Sequence, residues 1–140
     1  MSKTRGAVNE LIEGKLYQRS QIMTWQRPVK MALLEEYKID CVVNLWPKMD
    51  ADFWGTTPGL YLQVPAEPST EVLKPHCLAM AQFVAQSLSE GKIRAALVLC
   101  EAGKTRSVFF SILVYKHYHG VSGEEAMNVV LGKIPSTSLK

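Results

Sequence analysis

The stretch from Ala95 to Tyr115, AALVLCEAGKTRSVFFSILVY, constrains the fold of this chain more than any other. It opens with an unbroken apolar run, Ala95 to Leu99, of the length a buried strand needs. It closes with Val108 to Tyr115, apolar nearly all round and long enough for a buried helix. Between them lies only a tight polar loop, Cys100-Glu101-Ala102-Gly103-Lys104-Thr105-Arg106, with Ser107 opening the helix. A strand that turns through so short a loop onto a helix start aims free backbone N–H groups at one point. The helix end adds partial positive charge there. Such a turn suits an anion before any side chain is counted.

The rest of the chain supplies a frame for that unit. Leu16 to Arg19 reads as a short edge strand after a loose N-terminal arm. Pro28 suits a first helical position, and Val29 to Tyr37 carries apolar residues at helical period. Cys41 to Leu45 is short and β-branched, as an interior strand would be. Trp46 to Gly59 has two prolines, two glycines and two tryptophans without a clear period, and reads as a long functional loop. Leu60 to Val64 is a further strand, and Pro65 to Thr70 is a turn-rich connection. A helix follows from Pro75 to about Ser89, with Leu78, Ala81, Ala85 and Leu88 on one face and Gly91 ending it. After the buried helix, stopped by Gly120, Ser122 and Glu125 form a capping box for a last helix through about Leu131. Strands alternating with helices predict an α/β fold. Its expected form is a mostly parallel central sheet of four to five strands with helices on both faces. In such sheets ligands sit beyond the C-terminal ends of the strands, where Cys100 falls.

Composition narrows the class. The 140 residues fit one domain, 1–140, and 47% hydrophobic with 21% charged residues is ordinary for a globular protein. No apolar run is long enough to span a membrane. A net charge of +3 is too small and too dispersed to argue for nucleic acid. Cys41, Cys77 and Cys100 are an odd number without metal-like spacing, which predicts a reduced, cytoplasmic protein. His76, His117 and His119 suggest no metal site either, and the chemistry below needs neither metal nor cofactor. A monomer is expected.

Side chains turn the anion turn into a reactive one. Cationic groups and a helix start favour the thiolate of a cysteine, and a thiolate at Cys100 could attack phosphorus to give a phosphocysteine. Arg106 would hold two phosphate oxygens through its planar fork, as lysine could not. Gly103 lets the backbone curl closely round the anion. The Ser107 hydroxyl could donate to the sulfur and help it leave.

LCEAGKTRS, Leu99 to Ser107, resembles the signature loop of the cysteine-dependent protein tyrosine phosphatase superfamily. The whole chain is similar in order to its small dual-specificity branch. GKLYQRSQI from Gly14, IDCVVNLW from Ile39, YLQVP from Tyr61 and GVSGEEAM from Gly120 fall where that branch has counterparts. The resemblance implies Cys100 as nucleophile, Arg106 as phosphate binder and Ser107 as the hydroxyl that assists dephosphorylation. Main-chain amides from Glu101 through Ala102, Gly103, Lys104 and Thr105 to Arg106 would cradle the phosphate. The substrate would be a phosphorylated protein or another phosphate monoester, with inorganic phosphate as product.

The chain departs from the family pattern twice. Leu99 stands where the family usually has His, and Pro68 stands where it has the Asp that acts as general acid. Glu67 is the adjacent carboxyl; Glu71, Asp50 and Asp52 are the alternatives. Trp46, Phe53 and Trp54 could line a cleft for an aromatic ester. Lys104 inside the loop resembles phosphoinositide phosphatases, whereas Glu101 opposes that reading. A phosphatase acting on phosphotyrosine and on phosphoserine or phosphothreonine is the leading expectation. A phosphoinositide phosphatase, or a weak or silent phosphate-binding relative, is the alternative.

Overall fold

The computed structural model describes residues 8–20, 25–56, 59–64, 74–100 and 105–134. A sheet of five strands runs in the order β1-β2-β5-β3-β4. The strands are β1 (Asn9–Ile12), β2 (Leu16–Ser20), β3 (Cys41–Asn44), β4 (Leu60–Gln63) and β5 (Ala96–Cys100). β1 pairs antiparallel with β2, and every other pairing is parallel. The C-terminal residues Ser20, Cys100, Asn44 and Gln63 therefore share one edge.

Position in the sheet follows from composition. β5 (ALVLC) is apolar on both faces and fully buried, as a central parallel strand must be. Its side chains alternate between two cores. Ala96, Val98 and Cys100 face one with Cys41, Val43 and Leu16; Leu97 and Leu99 face the other with Val42 and Tyr17. The first core is closed by α3 (Pro75–Ser89), α4 (Thr105–His119) and α5 (Gly123–Gly132), through residues such as Ala81, Leu88, Phe110 and Val130. The second is closed by α1 (Arg27–Glu36) and α2 (Ala51–Thr56), through Leu33, Leu34 and Phe53. Helices thus cover both faces.

Local signals account for the helix ends. Pro28 and Pro75 occupy the first turns of α1 and α3, where a missing N–H costs nothing. Gly91 and Gly120 follow α3 and α4 at φ 73° and 65°, the left-handed conformation that closes a helix. The Ser122 hydroxyl accepts from Glu125 N at 3.1 Å and caps α5.

Two expectations are corrected. Leu16–Ser20 is interior rather than an edge strand, because Asn9–Ile12 pairs outside it where a loose arm was expected. Trp46 to Gly59 contains α2, a six-residue helix whose start is fixed by side chains rather than by apolar period. Asp50 Oδ1 accepts from Asp52 N at 3.1 Å there.

Candidate active site

Cys100 ends the central strand, and Thr105 begins α4 directly after the intervening loop. The first turn of α4 carries no acidic side chain, so nothing in it opposes an anion. Strand alternation sends the Cys100 side chain toward α4, and the thiol lies 3.2 Å from Ser107 Oγ, with the S–H donating. Both residues are fully buried, and Arg106 beside them is 5% exposed. The structure therefore brings together Cys100 and Ser107, two of the residues singled out in the sequence, and buries the third, Arg106, in the first turn of α4.

β2 adds two groups that the sequence reading missed. Because Ser20 pairs in register with Cys100, its hydroxyl oxygen comes within 3.7 Å of Cys100 Sγ. Gln18, two positions earlier on the same face, donates from Nε2 to Ser107 Oγ at 2.8 Å and to Ser20 Oγ at 3.4 Å. Its Oε1 accepts from Asn9 Nδ2 at 2.8 Å, directly across the β1–β2 pair. The available signal was a polar amide sharing a strand face with Leu16, in a strand otherwise apolar at its start.

A second polar cluster fixes the neighbouring strand ends. Asn44 is fully buried at the end of β3; its Nδ2 donates to Lys48 O at 3.0 Å and to Tyr61 OH at 3.0 Å. Trp46 is clamped on both sides of its backbone: its N–H donates to Asn44 Oδ1 at 2.9 Å, and its carbonyl accepts from Gln63 Nε2. Lys48 Nζ lies 5.6 Å from the centre of the part-buried Trp46 ring. Trp46 therefore stands as a held aromatic group beyond β3, the strand next to β5.

Other candidates land elsewhere. Phe53 is fully buried against Leu33, Val42 and Leu99, so it is a core residue rather than a cleft wall. Leu99, at the usual histidine position, packs in that same core. Asp50 and Asp52 are engaged by Lys30, whose Nζ lies 2.8 and 3.1 Å from their carboxylates. Glu67, Glu71, Pro68 and the loop residues Glu101, Ala102, Gly103 and Lys104 lie outside the described residues.

The other buried thiols have different surroundings. Burial pushes the Cys41 thiol up to about 12, with the Asp40 carboxylate adding to the effect. Cys77 faces the α3–α5 core, its sulfur 3.3 Å from His76 Nε2. On the opposite face, burial and then the Glu10 carboxylate raise Tyr17 to about 12; its hydroxyl donates to Glu10 Oε2 at 3.3 Å. Among the described residues no helix is long and apolar enough to cross a membrane.

Comparison with known proteins places this geometry. No family model matches the chain. In sequence it is similar to the dual specificity protein phosphatase Mpk3 of Drosophila melanogaster, at 29% identity over 106 residues. That match covers 75% of this chain but only 25% of the fly protein, so the chain spans about a quarter of the curated relative's length. In structure it is similar to the Cydia pomonella PTP-2 phosphatase, with a TM-score of 0.71 at 16% identity, covering 94% of this chain and 84% of that one. P. aeruginosa TpbA, solved in complex with pTyr, superposes with a TM-score of 0.65 at 17% identity, over 91% of this chain and 75% of its own. The chain therefore has the fold of the cysteine-dependent protein tyrosine phosphatases and resembles their dual-specificity members in sequence.

Proposed function

We propose that the protein is a cysteine-dependent phosphatase that hydrolyses phosphate monoesters, phosphotyrosine and also phosphoserine or phosphothreonine, on phosphorylated proteins. The observation that carries the reading is one strand–helix junction that holds three residues of the signature loop. They are the Cys100 thiol ending β5, the Ser107 hydroxyl 3.2 Å from it, and the buried Arg106 between them in sequence. The sequence likeness to a dual specificity phosphatase supports the same chemistry, and the pTyr bound to TpbA supports an aryl phosphate as substrate.

In the first step the Cys100 thiolate bonds to phosphorus and the ester oxygen departs with its electron pair. Backbone amides from Glu101 to Arg106 and the Arg106 guanidinium neutralise the oxygens, which carry most charge in the transition state. Glu67 is the carboxyl we assign to protonate the leaving oxygen. In the second step a water oxygen bonds to phosphorus, its proton passes to the Glu67 carboxylate, and the P–S bond returns its electrons to sulfur. Ser107 assists there by donating to the departing thiolate. Trp46 supplies an aromatic wall for the substrate. No step calls for a metal or cofactor. A free catalytic thiol suits a reducing compartment, and we place the protein in the cytoplasm as a monomer.

The test is hydrolysis of para-nitrophenyl phosphate in the presence of a chelator. Purified wild type is expected to turn over and Cys100→Ser to be inactive. Turnover that survives the serine change, or none by the wild type, would overturn the assignment. Glu67→Gln is expected to slow an alkyl phosphate more than an aryl one, because a phenol leaves more readily unprotonated.

A further inference from the structure

Among the described residues, Gln18 reaches the Cys100 sulfur through other groups, the hydroxyls of Ser107 and Ser20. It sits on the strand next to β5, 89 residues before Ser107, and is 2% exposed. Among the described residues, the two hydroxyls that approach Cys100 Sγ, those of Ser107 and Ser20, accept a hydrogen bond from the same Gln18 NH2 group. That group has two protons and no lone pair to offer. A hydroxyl that accepts from Gln18 keeps its own proton for another partner, and at Ser107 the other neighbour is Cys100 Sγ. While Cys100 is a thiol, its S–H can donate to Ser107. Once the sulfur is ionised it can only accept, and a hydroxyl already supplied by Gln18 is free to turn its proton to the sulfur.

If the amide faced the other way, Oε1 would take the Ser107 proton and leave the thiolate without it. Asn9 holds the amide the productive way round: its Nδ2 donates to Gln18 Oε1 from the paired position on β1, which leaves Nε2 toward the hydroxyls.

We propose that Gln18, held by Asn9, is a positioning residue that turns the Ser107 and Ser20 hydroxyls toward the ionised sulfur of Cys100. The inference rests on the phosphatase reading of the same site. Its consequence for catalysis lies in the second step, when the P–S bond breaks and negative charge returns to sulfur. Losing the aimed hydroxyl there slows breakdown of the phosphocysteine more than its formation.

The experiment compares the full chain with Gln18→Met, Asn9→Leu, Ser107→Ala and the Gln18→Met/Ser107→Ala double variant. The first readout is the ultraviolet absorbance of the Cys100 thiolate against pH, each variant referenced to the same chain carrying Cys100→Ser. Gln18→Met and Asn9→Leu are expected to raise the midpoint by about one pH unit, tenfold in the ionisation constant. The double variant should move beyond Ser107→Ala alone only by the smaller share that passes through Ser20, well short of the sum of the two single effects. The second readout is turnover of para-nitrophenyl phosphate, where Gln18→Met should lower kcat and KM together by about tenfold and reveal a burst of nitrophenol. A merely structural role for Gln18 would produce neither the burst nor the loss of additivity. A titration unchanged in Gln18→Met, or an effect that adds in full to that of Ser107→Ala, overturns the proposal. Should Gln18→Met not fold, the part-buried Asn9 position decides the question by the same titration. A wild type that turns over no monoester overturns the phosphatase reading, and the titration still decides the positioning role.

Discussion

Lys30 Nζ lies 2.8 Å from Asp50 Oδ2, and both side chains are almost completely buried. The pair joins α1 to the start of α2, with Asp52 Oδ2 3.1 Å from the same ammonium and the Phe53 ring 5.6 Å away. Removing the ammonium leaves the buried Asp50 carboxylate desolvated and without this ion pair. Lys30→Met is therefore expected to cost about 3–5 kcal/mol. Adding Asp50→Asn should recover part of the loss, because no uncompensated carboxylate then remains at that position. Urea denaturation of the two variants against wild type checks both statements. A single variant as stable as the wild type would contradict the pairing.

Cys41 offers a prediction with a defined pH window. Unfolded, its thiol ionises near the ordinary value of 9.0; folded, it keeps its proton to about 12. The folded state binds the proton more tightly, so this contribution to stability is complete below pH 9 and is lost as pH rises from there toward 12. Tyr17, raised from 10.0 to about 12, acts in the same direction. Stability measured from pH 8 to 11 should fall less steeply in Cys41→Ala than in wild type. In the native protein at neutral pH, mass spectrometry after iodoacetamide treatment should find Cys41 unmodified.

Lys38 occupies a position better suited to glycine. It follows α1 at φ 55°, with Lys38 N donating to Glu35 O at 3.3 Å and Ile39 N to Leu34 O at 2.9 Å. A side chain in that left-handed conformation costs about 1 kcal/mol. Lys38→Gly should stabilise the protein by about 0.5–1 kcal/mol, after allowance for the greater freedom of glycine in the unfolded chain. A rise in the urea midpoint with unchanged slope would show it.

Arg106→Lys tests the geometry of anion binding rather than charge alone. Lysine keeps the positive charge but lacks the planar fork. We expect kcat/KM for para-nitrophenyl phosphate to fall by about 100-fold or more. A loss of only a few-fold would mean that a point charge suffices.

The legible and illegible parts of the chain divide on physical grounds. Ala95 to Leu99 and Val108 to Tyr115 were readable because central elements are apolar without interruption, and Gly91, Gly120 and Ser122 because end signals are local. β1 was not, since Asn9–Ile12 is stabilised by pairing with β2 and carries little pattern of its own. α2 was not, since a six-residue helix carries too little apolar period to show, and its tie to Lys30 is a long-range side-chain contact. At the site, Cys100, Arg106 and Ser107 share one motif and were named together. Gln18 and Ser20 come from the far end of the chain, and only strand order shows that they face the sulfur. Asp50 and Phe53, read as a possible acid and a possible cleft residue, are committed to the scaffold instead.

The register of β2 on β5 also bears on how the protein folds. The Ser20–Cys100 and Gln18–Ser107 contacts close loops of 80 and 89 residues. Such closures carry a large entropic cost and belong late in folding. On a ribosome, β1 and β2 must wait for their central partner until most of the chain has emerged. During that interval any pairing of the two leaves an open edge, which invites association with other chains. In refolding, the appearance of native thiol chemistry at Cys100 should therefore lag the gain of helical signal, and that lag would time the insertion of β5 between its neighbours.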